Sequence, residues 1–235
     1  MKKKHFVNTI VAAFLLITFT ACETQSIKKA SSHQSENDVN VTILNFENVG
    51  IGEIPAGWKI ENTKLKGSLP TWQVIKDKSA LSGKKVLALM DTKQSSGDSF
   101  NLCWTKNILL TDGEIEVELK SVKGEEDQGG GVIWRALDKN NYYIARFNPL
   151  ENNFRFYYVK DGKREKMKNA DVKLPAGKWD KLKIVQRGNK FEGFLNGKKL
   201  IEGTDDTFTK QGGVGLWTKA DAVTSFNNFT VTPSK

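Results

Sequence analysis

From residue 41 onward the chain alternates between short apolar runs and polar turns, a pattern typical of β-strands. The runs are rich in β-branched and aromatic residues, and Gly, Asn, Asp and Lys separate them. Turn sequences such as Asp161-Gly162 and Asn196-Gly197 lie between alternating runs, as β-hairpins require. We predict strands at 41–46, 72–75, 86–90, 99–106, 114–122, 131–137, 142–148, 154–160, 181–187, 190–196, 213–218 and 223–232.

No segment has a convincing helical period, and many short strands joined by regular turns are typical of sandwiches and jelly rolls. We therefore predict an all-β fold, a two-sheet antiparallel jelly-roll sandwich that forms one domain over residues 41–235. The first and last strands are expected to pair, because a closed sandwich protects its edges in this way.

Alternation within a strand also assigns side chains to the two faces of a sheet. The strand at 114–122 places three glutamates on one face and three apolar residues on the other. The strand at 142–148 places Tyr142, Ile144 and Arg146 together. If the strands between 114 and 160 form one meander, a single face carries the glutamate row beside three arginines. The residues of that face are Glu114, Glu116, Glu118, Arg135, Arg146 and Arg155.

The N-terminus has the features of an export signal. Three lysines at 2–4 precede an uncharged apolar segment at 6–21, which is too short for a typical membrane span. The segment ends in Phe19-Thr20-Ala21-Cys22, which resembles a bacterial lipobox with Phe19 where Leu is usual. We predict a signal peptide at 1–21, cleavage before Cys22 and lipid attachment to its thiol.

Residues 22–40 form a polar segment with few large apolar groups, which cannot offset its ordering entropy. We predict a flexible tether with a reach on the order of 25 Å. Removing residues 1–21 changes the net charge from +9 to +6, and the remaining lysines are scattered. We expect a monomer in the bacterial cell envelope, periplasmic or surface-exposed, with no nucleic-acid partner and membrane contact through the lipid alone.

The composition of the predicted domain excludes several kinds of catalytic site. Both histidines, His5 and His33, precede it, so it has no Ser-His-Asp triad, Cys-His pair or histidine zinc site. Cys103 is the only cysteine after Cys22, so an internal disulfide is also excluded. We expect Cys103, between Leu102 and Trp104, to be a small buried apolar residue.

The glutamate row is the first candidate site. Retaining glycosidases use two carboxyl groups about 5 Å apart, and side chains on one strand face can meet that need. The row resembles the E-x-D-x-E core of family 16 glycoside hydrolases, with Glu116 in place of Asp. The resemblance makes Glu114, Glu116 and Glu118 candidate catalytic residues. The alternative is a solvated strand face that pairs with neighbouring arginines.

The second candidate site combines aromatic and arginine side chains, because sugars are bound by aromatic rings and by guanidinium groups. Paired donors from arginines would favour anionic or oxidised sugars. In the alternative interpretation the tryptophans, Trp134 above all, belong to the core and the arginines form cross-strand ion pairs. The candidate ligand-binding residues are Arg135, Tyr143, Arg146, Arg155, Tyr157 and Trp217.

Calcium is a candidate structural ion, and we expect no other cofactor. Asp206 and Asp221, with Asp205 and the pair Asn227-Asn228, offer oxygen ligands of the kind calcium prefers. Turn chemistry explains the same residues without a metal.

Longer motifs resemble the concanavalin A-like lectin/glucanase superfamily over about residues 41–232. Within it the chain is similar to laminin G-like domains known in bacteria as 3-keto-disaccharide hydrolase domains. The motifs are GGGVIWR at 129–135, NYYIAR at 141–146, ENNFR at 151–155, PAGKW at 175–179 and GVGLWTKAD at 213–221. The resemblance implies a jelly roll and an activity on oxidised disaccharides.

Three functions remain open at the level of sequence. The leading hypothesis is a glycan-recognition domain that binds a glycan or small saccharide on its charged sheet face. The second is a glycoside hydrolase that uses the glutamate row, and the third is a noncatalytic envelope scaffold. Since fold does not decide function, the motifs alone do not choose among them.

Overall fold

The computed structural model describes residues 41–91 and 97–234, and all regular structure in these residues is β-strand. The strands are β1 Thr42–Leu44, β2 Lys59–Thr63, β3 Thr71–Lys76, β4 Lys85–Asp91, β5 Phe100–Leu110, β6 Gly113–Lys123, β7 Gly130–Asp138, β8 Asn141–Asn148, β9 Asn153–Lys160, β10 Lys163–Asp171, β11 Trp179–Arg187, β12 Lys190–Leu195, β13 Lys198–Thr204, β14 Gly212–Lys219 and β15 Val223–Pro233. Across these residues there is no helix long and apolar enough to cross a membrane. The predicted signal peptide, Cys22 and the tether lie outside the described residues.

The strands form two antiparallel sheets. One has eight strands in the order β13-β12-β11-β6-β15-β4-β3, with β1 added on β15, and the other has seven in the order β10-β9-β8-β7-β14-β5-β2. β1 pairs with β15 through Thr42 and Val231, so the first and last strands are neighbours as predicted. The predicted jelly-roll sandwich is therefore confirmed.

Three observed strands, β2, β10 and β13, were absent from the sequence prediction, and all three lie at an edge of a sheet. β10 has the sequence KREKMKNAD, and most of its side chains are at least partly exposed. Edge strands carry charged residues that discourage further pairing, which weakens the apolar alternation from which a strand is recognised. The missed strands are thus the ones whose sequences look most like loops.

The main core lies between the two sheets and is built from their inward-facing residues. Trp134 and Cys103 are fully buried there, as predicted, and burial raises the pKa of the Cys103 thiol. Trp134 stacks on Tyr143 with 5.3 Å between ring centroids. These contacts tie β7 and β8 to the interior.

A second buried cluster lies on the outward face of the seven-stranded sheet. It contains Phe100, Leu102, Trp104, Ile133, Ala136, Tyr142, Ile144, Tyr157, Val159 and Trp217. The sheet curls around this cluster, because Thr63 Oγ1 on the edge strand β2 lies 2.7 Å from Tyr142 Oη on β8. From the other edge, Arg164 on β10 lies over the Phe100 ring at 5.0 Å.

The strands between 114 and 160 do not form a single meander. β6 pairs with β11 and β15 in the eight-stranded sheet, whereas β7, β8 and β9 are neighbours in the other sheet. The chain changes sheets between Gly124 and Gly129, both of which have positive φ angles, 154° and 76°. The glutamate row and the arginines therefore lie in different sheets and do not share a face.

Candidate functional site

A group of polar side chains surrounds Arg146 on the outward face of the seven-stranded sheet, at the end of β8. We call these residues the Arg146 cluster: Asp127, Arg146, Asn148, Glu151 and Asn153, with Arg155 and Lys219 at its margin. Strand alternation places Arg146 on the same face as Tyr142 and Ile144, as the sequence predicted. The cluster thus borders the second buried cluster.

Arg146 is almost fully buried, with 1% of its surface exposed. Its Nη1 donates to Asp127 Oδ2 at 3.1 Å, and its Nη2 donates to Glu151 Oε2 at 2.8 Å and to Asn153 Oδ1 at 3.2 Å. A buried guanidinium requires such partners, since an unpaired buried charge is strongly destabilising. Arg146 therefore links two carboxylates instead of presenting its charge to solvent.

Asp127 is equally buried, at 1% exposure, and lies in the loop between β6 and β7. It accepts a hydrogen bond from Asn148 Nδ2 at 3.1 Å, and Lys219 Nζ lies 3.3 Å from its Oδ2. Burial raises the pKa of Asp127, while the charges of Arg146 and Lys219 oppose that shift. Asp127 is enclosed by protein groups and serves as the inner anchor of the cluster.

Glu151 is the partly exposed carboxylate of the cluster, and its two oxygens have different surroundings. Oε2 accepts from Arg146 Nη2 at 2.8 Å, Asn153 Nδ2 at 2.9 Å and Arg155 Nη1 at 2.8 Å. Among the described residues no donor reaches Oε1, and 37% of the side chain is exposed. Burial acts to raise the pKa of Glu151, but the Asn153 hydrogen bond and the two arginine charges outweigh it, so the pKa lies below the ordinary 4.5.

Arg155 lies directly opposite Arg146 across β8 and β9, and 28% of its side chain is exposed. Its Nε donates to Asn169 Oδ1 at 2.6 Å. A fixed acceptor, Glu151 Oε1, therefore belongs to a side chain that pairs with the partly exposed Arg155. This combination can contact a ligand group that donates a hydrogen bond and a neighbouring group that accepts one.

The loop that carries Asp127 is held by Asp221. The Asp221 carboxylate accepts backbone N–H groups from Glu125 at 2.7 Å and from Asp127 at 2.9 Å, with Glu126 between them. Burial acts to raise the pKa of Asp221, but the amide hydrogen bonds outweigh it and lower the pKa below 3.8. Asp221 thus fixes the position of the inner anchor.

A cavity of about 600 Å³ adjoins the β8–β9 turn. Its lining includes Gln128, which follows Asp127, and Leu150 and Asn152, which flank Glu151. Leu174 and Pro175 supply apolar surface on the far side. A cavity of this size falls in the range of small-molecule sites.

Arg135 lies apart from this cluster, although the sequence grouped it with Arg146. Its backbone is at a bulge with φ of 46°, and its guanidinium donates to Phe208 O at 2.6 Å, Gly188 O at 2.7 Å and Asp112 Oδ1 at 3.0 Å. With Thr111 O on its Nε, every nitrogen of this side chain has a protein partner. It is 1% exposed and presents no donor to a ligand.

The aromatic candidates are also buried. Tyr143 faces the main core, where its hydroxyl donates to Asp205 Oδ1 at 2.6 Å and accepts the Phe208 N–H at 2.9 Å. Trp217 and Tyr157 belong to the second cluster and are 0% and 4% exposed. The structure places Tyr157 beside the Arg146 cluster, but it does not bring Tyr143 or Arg135 there.

The glutamate row lies on the outward face of the eight-stranded sheet and pairs with lysines of β11. Lys181 Nζ lies 3.1 Å from Glu116 Oε1, and Lys183 Nζ lies 3.3 Å from Glu114 Oε2. Glu118 is 7% exposed and accepts from Asn228 Nδ2 at 2.9 Å. The arrangement matches a cross-strand ion-pair ladder, with lysines in the place expected for arginines.

The calcium candidates are not brought together. Asp206 accepts from Asn189 at 3.2 Å, whereas Asp221 binds the amides of the loop that carries Asp127. In residues 41–91 and 97–234 no group of three or more acidic, histidine or cysteine side chains is arranged to hold a metal ion.

Sequence reasoning missed Glu151 as well as Asp127, Asn148, Asn153 and Lys219. Glu151, Asn153 and Lys219 do fall within the motifs ENNFR and GVGLWTKAD, but nothing in their spacing shows that they meet. Asp127 follows two other acidic residues and resembles part of a solvated loop. Asp127 contacts Arg146 only because the chain changes sheets between β6 and β7.

Solved structures similar to this chain include carbohydrate-binding and glucan-cleaving proteins. The carbohydrate-binding module CBM66 from Bacillus subtilis matches with a TM-score of 0.58 and 21% identity, over 75% of this chain and 96% of the module. A Bacillus licheniformis β-glucanase matches with a TM-score of 0.56 and 13% identity, over 83% of this chain and 98% of that enzyme. At these identities the matches show a shared jelly-roll fold.

No curated protein sequence matches the chain. A model of the domain family described as 3-keto-alpha-glucoside-1,2-lyase-like matches residues 45–232, which is most of the chain and includes every strand from β2 to β14 and nearly all of β15. The chain therefore belongs to the 3-keto-alpha-glucoside-1,2-lyase-like domain family.

Proposed function

We propose that the domain binds a 3-keto-α-glucoside at the Arg146 cluster, with Glu151 and Arg155 in direct contact with the sugar. The observation that carries the proposal is the unequal use of the two Glu151 oxygens. Three donors fix Oε2, and Oε1 is left as an acceptor on a partly exposed side chain. A carboxylate held in one orientation in this way is preorganised for a ligand.

Family membership supports the class of ligand. The family takes its name from a 3-keto-α-glucoside, and CBM66 of Bacillus subtilis, which shares the fold, is a carbohydrate-binding module. The cavity beside the β8–β9 turn is lined by Leu150 and Asn152, the chain neighbours of Glu151, and has the size of a small-molecule site.

The chemistry of the two contact residues fits a ketone beside hydroxyl groups. A keto oxygen only accepts hydrogen bonds, whereas a sugar hydroxyl can also donate one. Arg155 supplies donors and Glu151 Oε1 is an acceptor, so C3=O and a neighbouring hydroxyl can be bound together. The parent glucoside carries a hydroxyl at C3, which is a weaker acceptor for a guanidinium.

A neutral ligand fits this site better than an anionic one. The anionic preference expected from sequence rested on free paired donors of Arg135 and Arg146. Protein carbonyls and carboxylates occupy the Nη groups of both side chains. Glu151 would also repel an anion, so Arg155 is better suited to bind the oxygen of a neutral ketone.

Calorimetric titration with a 3-keto-α-glucoside and its parent α-glucoside tests the proposal. We expect the keto sugar to bind at least about tenfold more tightly, which is about 1.4 kcal/mol. Arg155→Ala should weaken binding by a similar factor, and Lys163→Ala, on the exposed β9–β10 hairpin, should leave it unchanged. If neither the keto sugar nor its parent glucoside binds, the proposal is overturned.

The order of the N-terminal segments supports a second part of the proposed function. The basic, apolar and small-residue segments before Cys22 favour a lipid anchor in the bacterial envelope. The polar residues that follow would hold the sugar-binding domain near the membrane surface. If the domain were a scaffold that binds no ligand, the Arg146 cluster would only stabilise the fold.

A further inference from the structure

We infer that the domain has a second ligand site, on the outward face of β11, β12 and β13, where Arg187 and Lys190 bind the carboxylate of an acidic saccharide such as a uronic acid. Ile184 of β11 belongs to the main core, so strand alternation turns Val185 and Arg187 outward. The site lies in the eight-stranded sheet and the Arg146 cluster lies in the other, so the inference goes beyond the proposed function and does not depend on it.

A cavity of about 320 Å³ lies on this face. It is crossed by two rows of side chains, each paired across the three strands. The first row is Arg187, Lys190 and Thr204, and the second is Val185, Glu192 and Glu202. The rows are two residues apart along β12, which is about 7 Å. One sugar ring with its substituents can therefore reach both rows.

The two cations of the first row are exposed and directly opposite each other in the β11–β12 register. Like charges in that arrangement destabilise a sheet. The opposed pair Arg146 and Arg155 is neutralised by the carboxylate of Glu151. Within residues 41–91 and 97–234 no carboxylate forms an ion pair with Arg187 or Lys190. An external carboxylate between them would do what Glu151 does in the other sheet.

The hairpin that carries the two cations is held in place by two buried polar side chains, Arg135 and Gln186. Arg135 Nη2 and Gln186 Nε2 donate to Gly188 O at 2.7 Å and 2.9 Å. Gln186 Nε2 also donates to Lys190 O at 3.1 Å. The Gly188 N–H in turn donates to Asp112 Oδ1 at 2.9 Å. Because the backbone is already fixed, binding a ligand here has a smaller ordering cost.

The first row offers the donors that a carboxylate requires. A guanidinium can bind both oxygens of a carboxylate in a fork, and an ammonium adds a compact charge. Thr204, which faces Lys190 across β12 and β13, adds a hydroxyl donor. An anion in this row can thus be bound from all three strands.

The second row suits the neutral part of a saccharide. Val185 presents an apolar surface to C–H groups, and the two glutamates can accept hydrogen bonds from hydroxyl groups. Lys199 Nζ lies 3.1 Å from Glu192 Oε1 and 2.7 Å from Glu202 Oε2. In the part of the chain that the structure describes, no donor reaches the other oxygen of either carboxylate. Lys199 also weakens the repulsion between these carboxylates and an anion in the first row.

Calorimetric titration of the protein with methyl β-glucuronide and methyl β-glucoside tests the inference. The two sugars differ only in carrying a carboxylate or a hydroxymethyl group on C5. We expect the glucuronide to bind at least about tenfold more tightly. Its affinity should fall as salt is added, because the contact is ionic and exposed. Equal affinities for the two sugars would overturn the inference.

Substitution of either cation should weaken glucuronide binding. Arg187→Ala and Lys190→Ala should each reduce the affinity by about tenfold or more, because a charge-assisted contact is lost. Lys198→Ala, which removes an exposed lysine of β13 outside the cavity, is the matched control and should keep the wild-type affinity. Calorimetric unfolding checks that all three variants fold. Glucuronide binding that survives both cation substitutions would contradict the inference.

Two other probes distinguish an acidic saccharide from other anions. Acetate carries the carboxylate without the sugar ring and should bind at least about tenfold more weakly than the glucuronide. Phosphatidylglycerol vesicles present phosphate groups on a surface and should retain wild type and Arg187→Ala equally. Acetate that binds as tightly as the glucuronide would overturn the role of the second row. Vesicle retention that depends on Arg187, without glucuronide binding, would overturn the inference in favour of a lipid headgroup.

The glucuronide site and the proposed keto-sugar site should be independent. Glucuronide affinity should be the same with and without a saturating 3-keto-α-glucoside. Competition between the two sugars would place both at one site and overturn the inference. Binding of the keto sugar without binding of the glucuronide would overturn the inference and leave the proposed function intact, and the reverse result would overturn the proposed function alone.

Discussion

Arg146 and Arg155 face each other across β8 and β9, and both donate to the same oxygen of Glu151 at 2.8 Å. Like charges directly opposite each other in a sheet are destabilising. Glu151 therefore compensates a repulsion that the strand register creates.

Glu151→Ala should lower the free energy of unfolding by about 1–3 kcal/mol, because two guanidinium groups lose an acceptor. Urea denaturation measures the change, with Glu202→Ala on an exposed part of β13 as the control. The double variant Glu151→Ala/Arg155→Ala should regain part of the loss, since it removes one of the opposed charges. Equal losses in Glu151→Ala and the control would contradict this account.

Stability in acid should depend on Asp221. Its pKa in the folded protein is below the ordinary 3.8, so its ionised form stabilises the fold at pH values above 3.8. This contribution is lost as the pH falls through the folded pKa. Asp221→Asn should be less stable than wild type at pH 7, and the difference should shrink toward pH 2 in thermal unfolding. A difference in stability that stays constant with pH would show that the three backbone N–H hydrogen bonds to Asp221 do not depend on its charge.

The curl of the seven-stranded sheet should depend on Thr63. Thr63→Val keeps the shape of the side chain but removes the hydroxyl next to Tyr142 Oη, and should cost about 1–3 kcal/mol. Thr71→Val, at an exposed position of β3, is the matched control and should change stability by less than about 0.5 kcal/mol. Chemical denaturation of both variants gives the comparison, and similar values would argue against a link between β2 and β8.

Anchoring should depend on the thiol of Cys22. In cells that process lipoproteins, Cys22→Ala should move the protein from the membrane fraction to the soluble fraction. Cys103→Ala is the control, because that thiol is buried in the core and takes no part in attachment. Fractionation followed by immunoblotting measures the distribution, and membrane association that survives Cys22→Ala would refute lipidation.

The parts of the fold that follow from side-chain alternation could be predicted from the sequence. Strands such as β6, with Ile115 and Val117 inward and glutamates outward, are recognisable because one face is buried and the other is not. Edge strands such as β10 are not, because little of their surface is buried on either face.

The candidate site was harder to predict because it depends on which strands are neighbours. Arg146 and Arg155 were placed on one face correctly, since both belong to strands with clear alternation. Arg135 was misplaced because a bulge with positive φ redirects its side chain, which a period of two residues cannot reveal. Asp127 lies in a loop, and only the tertiary structure brings it to Arg146.

The position of β15 determines when this domain can complete its folding. β15 lies between β6 and β4 and also pairs with β1, so the eight-stranded sheet is divided until Val223–Pro233 is in place. Thr42 and Val231 lie at opposite ends of the domain sequence, and such distant pairings form slowly. Until Val231 pairs with Thr42, the eight-stranded sheet is incomplete and leaves apolar strand faces uncovered, so the partly folded chain is prone to aggregation.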